Sequence, residues 1–297
     1  MMKINLMKKG PVTPKGFRDI TPNLAKKRRE VINKIAEVLE SFDFVPLETP
    51  TLEFADTLLG KYGEEEKLIY KFTDRGGRDL ALRYDLTVPL ARFVANNLNL
   101  LNPTFSRFQI GQVFRGENTQ KGRFREFTQF DFDTVGNSEV SEDARVIAAA
   151  IAAARKIGLE KAMLAVNDRE NFKGLSITDI REIDKIYKVG RDKTRKELVD
   201  FVENSKPTEN LKELFEILKT KYSLNEGKDF FFDPTLARGL DYYTSTILEL
   251  KPTGKPEEMS IGGGGRYDKL IGMFAGRDIP AVGFSFGLDR LLEALPE

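Results

Sequence analysis

Arginines, acids and phenylalanines alternate through one stretch of this chain in a way that points directly to chemistry. Residues 114–133 read Phe-Arg-Gly-Glu-Asn-Thr-Gln-Lys-Gly-Arg-Phe-Arg-Glu-Phe-Thr-Gln-Phe-Asp-Phe-Asp. From Arg123 onward, alternate positions hold Arg123, Arg125, Phe127, Gln129, Asp131 and Asp133, while the intervening ones hold Phe124, Glu126, Thr128, Phe130 and Phe132. A period of two is the signature of a strand, and one face of this strand is polar where a core would be apolar. Residues 108–117 are also strand-like, and 118–122 between them read as a turn. An antiparallel pair built this way aims Arg115, Glu117, Arg123, Arg125, Gln129 and Asp133 at a common surface. Guanidinium groups bind phosphates and carboxylates through charge-assisted hydrogen bonds, and carboxylates bind amines the same way. The surface therefore suits a ligand carrying phosphate, carboxylate and amine groups. An amphipathic hairpin with a solvated face satisfies the same periodicity.

Three further stretches carry candidate chemistry. Residues 80–87, Leu-Ala-Leu-Arg-Tyr-Asp-Leu-Thr, predict a strand with Arg83, Asp85 and Thr87 at its tip. Pro89 and a helical pattern through Leu90, Phe93, Val94 and Leu98 follow, so Asp85 and Thr87 are placed either to meet a ligand or to cap that helix. Residues 233–244 carry Arg238-Gly239, where glycine lets the backbone approach a ligand closely, and then Asp241, Tyr242 and Tyr243 lead into a strand. Alone, these are a loop arginine and a tyrosine pair. Four glycines at 262–265, followed by Arg266-Tyr267-Asp268 and a helix-like run at 269–274, are either a flexible turn or a backbone brought close to a ligand; neither Walker A nor a dinucleotide fingerprint is present. Finally, residues 281–292 read as strand, glycine turn and helix, with Arg290 in the first helical turn.

The elements that must position these groups are legible around them. Residues 1–10 read as a loose leader. Thr21-Pro22 is an N-cap followed by proline at the first helical position, and Leu24, Val31, Ile32, Ile35, Val38, Leu39 and Phe42 recur at helical spacing. Residues 44–54 continue as an extended segment that Pro46 and Pro50 confine to a sheet edge or end. Ser141, with Glu142 and Asp143 in the first turn, opens an alanine-rich helix that Gly158 closes, and a strand follows at 162–167. Between 168 and 227 the charge density rises and three helical patterns appear: Ile177/Ile180/Ile183/Tyr187, Leu198/Val199/Phe201/Val202 and Leu211/Leu214/Phe215/Leu218. Thr194 with Glu197 fits a capping box, Lys206-Pro207 separates two of the helices, and the region reads as a small helical insertion.

These residues together resemble a known family. Phe-Arg-x-Glu, a loop, Gly-Arg-Phe-Arg-Glu-Phe and Gln-x-Asp-x-Asp are similar to motif 2 of the class II aminoacyl-tRNA synthetases, in the form Gln-Lys-Gly-Arg-Phe-Arg-Glu-Phe found in histidyl-tRNA synthetases. The long helix, edge strand and proline of residues 21–54 resemble motif 1, the family's dimer interface. Leu-Ala-Arg-Gly-Leu-Asp-Tyr-Tyr-Thr at 236–244 and Gly-Gly-Gly-Gly-Arg-Tyr-Asp at 262–268 resemble the two histidine-specific motifs, and residues 281–292 resemble motif 3. The resemblance runs from Thr13 to Leu295, with the motifs in the family's order.

The resemblance implies an α+β fold in which an antiparallel sheet is flanked by helices. It divides the chain into a first part of the catalytic core (1–167), a helical insertion (168–227) and a second part of the core (228–297). It implies activation of histidine by ATP to histidyl-adenylate. Arg115 and Arg238 would neutralise charge at the α-phosphoryl group. ATP would be held by Arg115, Glu117, Arg123, Phe127 and Arg290, with Phe127 and Arg290 on opposite faces of the adenine. The amino acid would be held by Asp85, Thr87, Gln129, Asp133, Arg238, Tyr242, Tyr243, Gly264 and Tyr267. Magnesium would accompany the phosphates, with no protein metal ligands assigned. The implied partners are histidine, ATP, tRNA(His) and a second copy of the chain.

Composition limits the alternatives. Of 297 residues, 40% are hydrophobic, enough for a substantial core, and 47 basic residues against 46 acidic ones leave a net charge of +1. Any nucleic-acid contact must therefore be local. The chain has no cysteine and no histidine, which removes disulfides, cysteine nucleophiles, zinc sites of the usual kind and Ser-His-Asp catalysis. No apolar run reaches membrane-spanning length, no secretory signal is evident, and a cytoplasmic location is expected. Family members continue past motif 3 into an anticodon-binding domain, whereas this sequence stops at Glu297; that difference, with a short insertion, would weaken tRNA selection while leaving adenylate formation. The insertion's basic residues, Lys185, Lys188, Arg191, Lys193, Arg195 and Lys196, fit either a solvated helix face or an acceptor-stem contact. The rival reading is the synthetase-like regulatory subunit of ATP phosphoribosyltransferase. It is favoured by the early end of the sequence and opposed by intact Arg115, Arg123, Arg238 and Arg290. An adaptor that merely reuses the fold is opposed by the same arginines.

Overall fold

The computed structural model describes residues 12–119, 122–237 and 242–296. Thr21 takes extended dihedral angles at the N-cap. Pro22, whose ring presets a helical φ, then starts α1 (Pro22–Ser41). Val31, Ile35 and Leu39, four apart, form its buried stripe. The chain continues through β1 (Val45–Pro46), β2 (Leu52–Phe54), α2 (Ala55–Leu58), β3 (Lys71–Thr73), β4 (Asp79–Leu82) and α3 (Thr87–Asn97). A long hairpin of β5 (Phe105–Phe114) and β6 (Glu126–Val135) leads to α4 (Val140–Lys156) and β7 (Met163–Asp168). Then come α5 (Ile177–Ile183), α6 (Ile186–Val189), α7 (Lys196–Asn204) and α8 (Glu209–Tyr222). The chain closes with β8 (Phe230–Phe232), β9 (Thr246–Lys251), β10 (Gly262–Arg266), α9 (Gly272–Ala275), β11 (Ala281–Gly287) and α10 (Leu288–Ala294).

The main sheet has the order β1-β5-β6-β11-β10-β9-β7-β8, and β2, β4 and β3 form a small antiparallel sheet. All pairs in the main sheet are antiparallel except the outermost two, β1 with β5 and β7 with β8. The expected α+β architecture is thus present, and Pro46 lies on an edge strand, where its missing N–H costs least. Phe108, Phe130, Phe132, Phe284 and Phe286 cover one sheet face and pack into a core with α1, α4, α8 and α10. The opposite face carries a second core, in which Ile183, Ile186, Leu198 and Val202 of the short helices join Ala165, Ile247 and Tyr267.

Several local expectations are corrected by the structure. The glycine run is no turn but the central strand β10, hydrogen-bonded on both sides to β9 and β11. A Cβ at Gly264 would lie 2.1 Å from the carbonyl oxygen of Gly283, and one at Gly265, where φ is +150°, would lie 2.3 Å from that of Thr246. Thr194 does not cap α7, because its hydroxyl donates to the Gly190 carbonyl four residues back. The capping box is made by Ser176 and Asp179 at the start of α5. Helix α8 lies on α4, with Leu211, Leu214 and Leu218 in the first core, whereas α5 to α7 belong to the second.

Candidate active site

The period-two pattern of β6 resolves into two functions. Phe130 and Phe132 point into the aromatic core, and Gln129, Asp131 and Asp133 lie on the other face. There, β5 and β11 flank them in register: Gln109 and Ser285 stand opposite Asp131, Arg107 and Gly283 opposite Asp133, and Gly111 and Gly287 opposite Gln129. Side chains would not fit at two of those glycines. A Cβ at Gly283 would meet Asp133 Oδ1 at 1.8 Å, and one at Gly111 would meet the Arg83 guanidinium at 2.2 Å. The polar face is therefore a buried floor rather than a solvated surface.

A cleft opens over this floor. It is lined by every residue to which the family resemblance gave an ATP or amino-acid role and that falls within the described residues: Asp85, Thr87, Arg115, Glu117, Arg123, Phe127, Gln129, Asp133, Tyr242, Tyr243, Gly264, Tyr267 and Arg290. Arg238 lies outside the described residues. Arg125 is not in the cleft, because its Nε donates to the Glu117 carbonyl and its stem packs on Gly16. Arg83, at the strand tip, is also held inward, donating to the carbonyls of Gln112 at 2.7 Å and Thr49 at 2.8 Å.

One end of the cleft is acidic. Asp85 Oδ1 accepts from the backbone N–H groups of Thr87 and Val88 and from the Tyr62 hydroxyl at 3.0 Å, so Asp85 does cap α3. Its Oδ2 has no hydrogen-bond partner although buried. An unpaired buried acceptor costs about 1–3 kcal/mol, which marks the place where a ligand donor would be taken up. Burial raises the Asp85 carboxyl above the usual range, against the backbone donors and Arg115. Asp133 Oδ1 accepts from the Tyr267 hydroxyl at 2.5 Å, and its Oδ2 lies 2.8 Å from Arg107, out of line for a hydrogen bond. Burial raises Asp133 too, with Arg107 opposing.

The other end is cationic. Arg115 donates to the Tyr84 carbonyl at 3.0 Å and to Gln129 Oε1 at 3.1 Å, with its guanidinium stacked 4.4 Å from Tyr84 and 5.0 Å from Phe127. Arg123 stands 3.8 Å from Glu117. Arg290 donates to the Ser260 carbonyl at 3.2 Å. Burial and then the neighbouring Arg123 and Arg115 lower its pKa, against Glu117 and Glu249, the mark of a site where the cations outweigh the acids. Among the described residues, neither Arg115 nor Arg290 is ion-paired. Behind Arg290, the N-terminal segment is clamped to α10, where Arg18 and Arg28 both bind Asp289. Acceptors for amines at one end and a cluster of guanidiniums at the other, with Glu117 the acid paired to Arg123, make a site for a cationic group and a polyanion side by side.

Sequence reasoning placed Asp131 on the polar face without assigning it, and missed Ser285 and Tyr84. The period-two pattern was signal enough for Asp131. Nothing local marks Ser285, which reaches Asp131 only through the β6–β11 register.

The family model described as Histidyl-tRNA synthetase matches residues 16–225 and 183–291. A histidine–tRNA ligase from Aeropyrum pernix is 40% identical over an alignment of 323 residues that covers 96% of this chain and 74% of the relative. Among solved structures, the histidyl-tRNA synthetase from Nostoc sp. PCC 7120 superposes with a TM-score of 0.81 at 28% identity, covering 96% of this chain and 75% of that one. A protein from Bacillus halodurans, described as an ATP phosphoribosyltransferase regulatory subunit/histidyl-tRNA synthetase, gives a TM-score of 0.78 at 25% identity, with 96% and 83% covered.

Proposed function

The chain belongs to the histidyl-tRNA synthetase family, and from that premise we propose that it activates histidine with ATP and transfers it to tRNA(His). The observation that carries the reading is the paired character of the cleft, with buried acceptors at Asp85 and Asp133 facing a cluster of Arg115, Arg123 and Arg290. A carboxylate oxygen of histidine attacks the α-phosphorus, the bond from that phosphorus to the bridging oxygen breaks, and pyrophosphate leaves. The protein supplies position and charge rather than a nucleophile.

In this reading Asp85, Thr87 and Gln129 take the amino group, and Asp133, Tyr267 and Tyr243 meet the imidazole beside Tyr242 and Gly264. Arg115 neutralises the α-phosphoryl charge, together with Arg238 from outside the described residues. Arg123 and Arg290 hold the outer phosphates, and Phe127 and Arg290 enclose the adenine. Each charge-assisted contact contributes on the order of 1.5–3 kcal/mol. Magnesium keeps several waters and usually reaches protein through one or two carboxylates and the substrate's phosphates. The donor set fits an ion of that kind. Among the described residues no group of three acidic side chains could hold one, and Glu117 is the carboxylate in the cleft beside Arg123. Bound there, the ion would offset phosphate charge.

The proposed assembly is a homodimer through the motif 1 region, supported by exposed Val45, Leu52, Phe54 and Phe72 on β1 to β3. The proposed location is the cytoplasm; among the described residues no helix is long and apolar enough to cross a membrane. The domain limits at 168 and 227 remain part of the proposal.

ATP–pyrophosphate exchange tested with each amino acid in turn decides the matter. Exchange that depends on histidine alone is expected. Histidine binding without exchange would favour the regulatory role that the Bacillus halodurans neighbour's description also names.

A further inference from the structure

Gln129 has an amide that can face either way, and the direction decides what it recognises. Its Nε2 donates to Ser285 Oγ at 2.7 Å and to Asp131 Oδ1 at 3.2 Å, which uses both hydrogens of the amide nitrogen. Ser285 in turn donates its own hydroxyl proton to Asp131 Oδ1. The Gln129 oxygen is thereby turned to Arg115 Nη2 at 3.1 Å, and the same guanidinium reaches the Tyr84 carbonyl at 3.0 Å. One guanidinium thus spans the gap between the Gln129 oxygen and the segment that carries the unpaired Asp85 Oδ2. Reversing the amide would set donor against donor at Arg115 and acceptor against acceptor at Asp131. The hydrogen-bond network thus selects one orientation.

Asp131 is 2% exposed and Ser285 stands directly across the β6–β11 pair from it, so the arrangement is built into the sheet register. Neither side chain has a role in the mechanism above. We infer that Asp131 and Ser285 are positioning residues for amino-acid recognition: they hold the Gln129 amide oxygen outward, so that the site takes a ligand with a protonated α-amine and disfavours one without it. This rests on the amino-acid reading of the cleft, and it adds the device by which the amine is required.

The test compares two ligands by calorimetry on the whole chain: histidine, and imidazolepropionate, which is histidine without its amine. The wild type is expected to prefer histidine. Asp131→Leu and Ser285→Ala each weaken histidine binding about tenfold, the equivalent of one hydrogen bond to a charged group, while imidazolepropionate binding and the KM for ATP change less than about twofold. Asp131→Asn, which keeps one acceptor oxygen, restores most of the preference. In a Gln129→Met background, Asp131→Leu has no further effect on the ratio. An equal loss for both ligands, an unchanged ratio, an Asn variant as weak as the Leu variant, or an effect that persists without Gln129 would overturn the inference while leaving the amino-acid reading intact. A wild type that binds neither ligand would overturn both.

Discussion

The two ends of the cleft are assembled in opposite ways. At the acidic end, Asp85, Asp131 and Asp133 are each at most 3% exposed. Tyr62 and two backbone N–H groups hold Asp85, Ser285 and Gln129 hold Asp131, and Tyr267 and Arg107 hold Asp133. At the cationic end, Arg123 is 42% exposed and Arg290 donates to one backbone carbonyl. The first end is a preformed hydrogen-bonding mould, and the second is charge waiting for a polyanion. A mould discriminates between isosteres, because a ligand that lacks a donor leaves a buried acceptor unpaired. Accumulated charge attracts any phosphate chain of suitable reach and is screened by salt.

Arg115 joins the two ends, and its loss should break the comparison outright. Arg115→Ala removes the stack on Tyr84 and Phe127 together with the bond to Gln129. Histidine-dependent pyrophosphate exchange is expected to fall about 10²–10³-fold in kcat, the usual cost of one donor to developing charge. Loss of binding alone, with kcat retained, would restrict Arg115 to ground-state recognition.

The next effect is confined to the mould. Tyr267→Phe removes the hydroxyl that Asp133 Oδ1 accepts. The KM for histidine is expected to rise roughly 10–100-fold with the KM for ATP unchanged, since a hydrogen bond to a buried charge is worth about 1.5–3 kcal/mol. Arg290→Gln acts at the other end and should raise the KM for ATP by about five- to tenfold. In the wild type, added salt should raise the KM for ATP and leave that for histidine nearly flat. Equal salt dependence for both substrates would contradict the division of the cleft.

How far the sequence disclosed all this depended on whether a signal was local. Helix α1, the β5–β6 hairpin and the β11–α10 turn were legible because side-chain periodicity and a proline or glycine at the boundary agree there. The strand ends were less so: β5 spans Phe105–Phe114 against an expected 108–117, because after one more backbone bond, from Arg115 to the Arg125 carbonyl, the chain leaves the hairpin and Gly116 N–H donates to the Leu68 carbonyl. Strand β10 was illegible as a strand, since four glycines have no side chains to alternate. Its reason lies in neighbours that approach within van der Waals contact. Thr194 failed as a cap because its hydroxyl found a carbonyl within its own turn. Asp85 satisfied both readings at once: one oxygen caps α3 and the other is left for a ligand. The partnership of Asp131 with Ser285 needed a register that links residues 154 positions apart.

The smallest expected effect probes the mould without any ligand. Burial, with Asp133 adding and Arg107 opposing, raises the Asp131 carboxyl to about 7. The charged groups that face it are Arg107 and Asp133 on β5 and β6, and Arg83 and Asp85 beyond β4. In the unfolded chain an aspartate titrates near 3.9. Between those two values the folded protein keeps a proton that the unfolded chain has released, so the contribution of Asp131 to stability falls as pH rises through the window and is least favourable above about 7. Asp131→Asn cannot titrate and shares every other acid with the wild type. Its Tm relative to wild type should therefore climb between pH 4 and pH 7 by a few degrees, then level off above about pH 8. A difference that stays flat across this range would mean that Asp131 is already charged at low pH, held by Arg83 and Arg107 rather than by burial. The acidic end would then be an ion-paired network, closer in kind to the cationic end than its hydrogen bonds indicate.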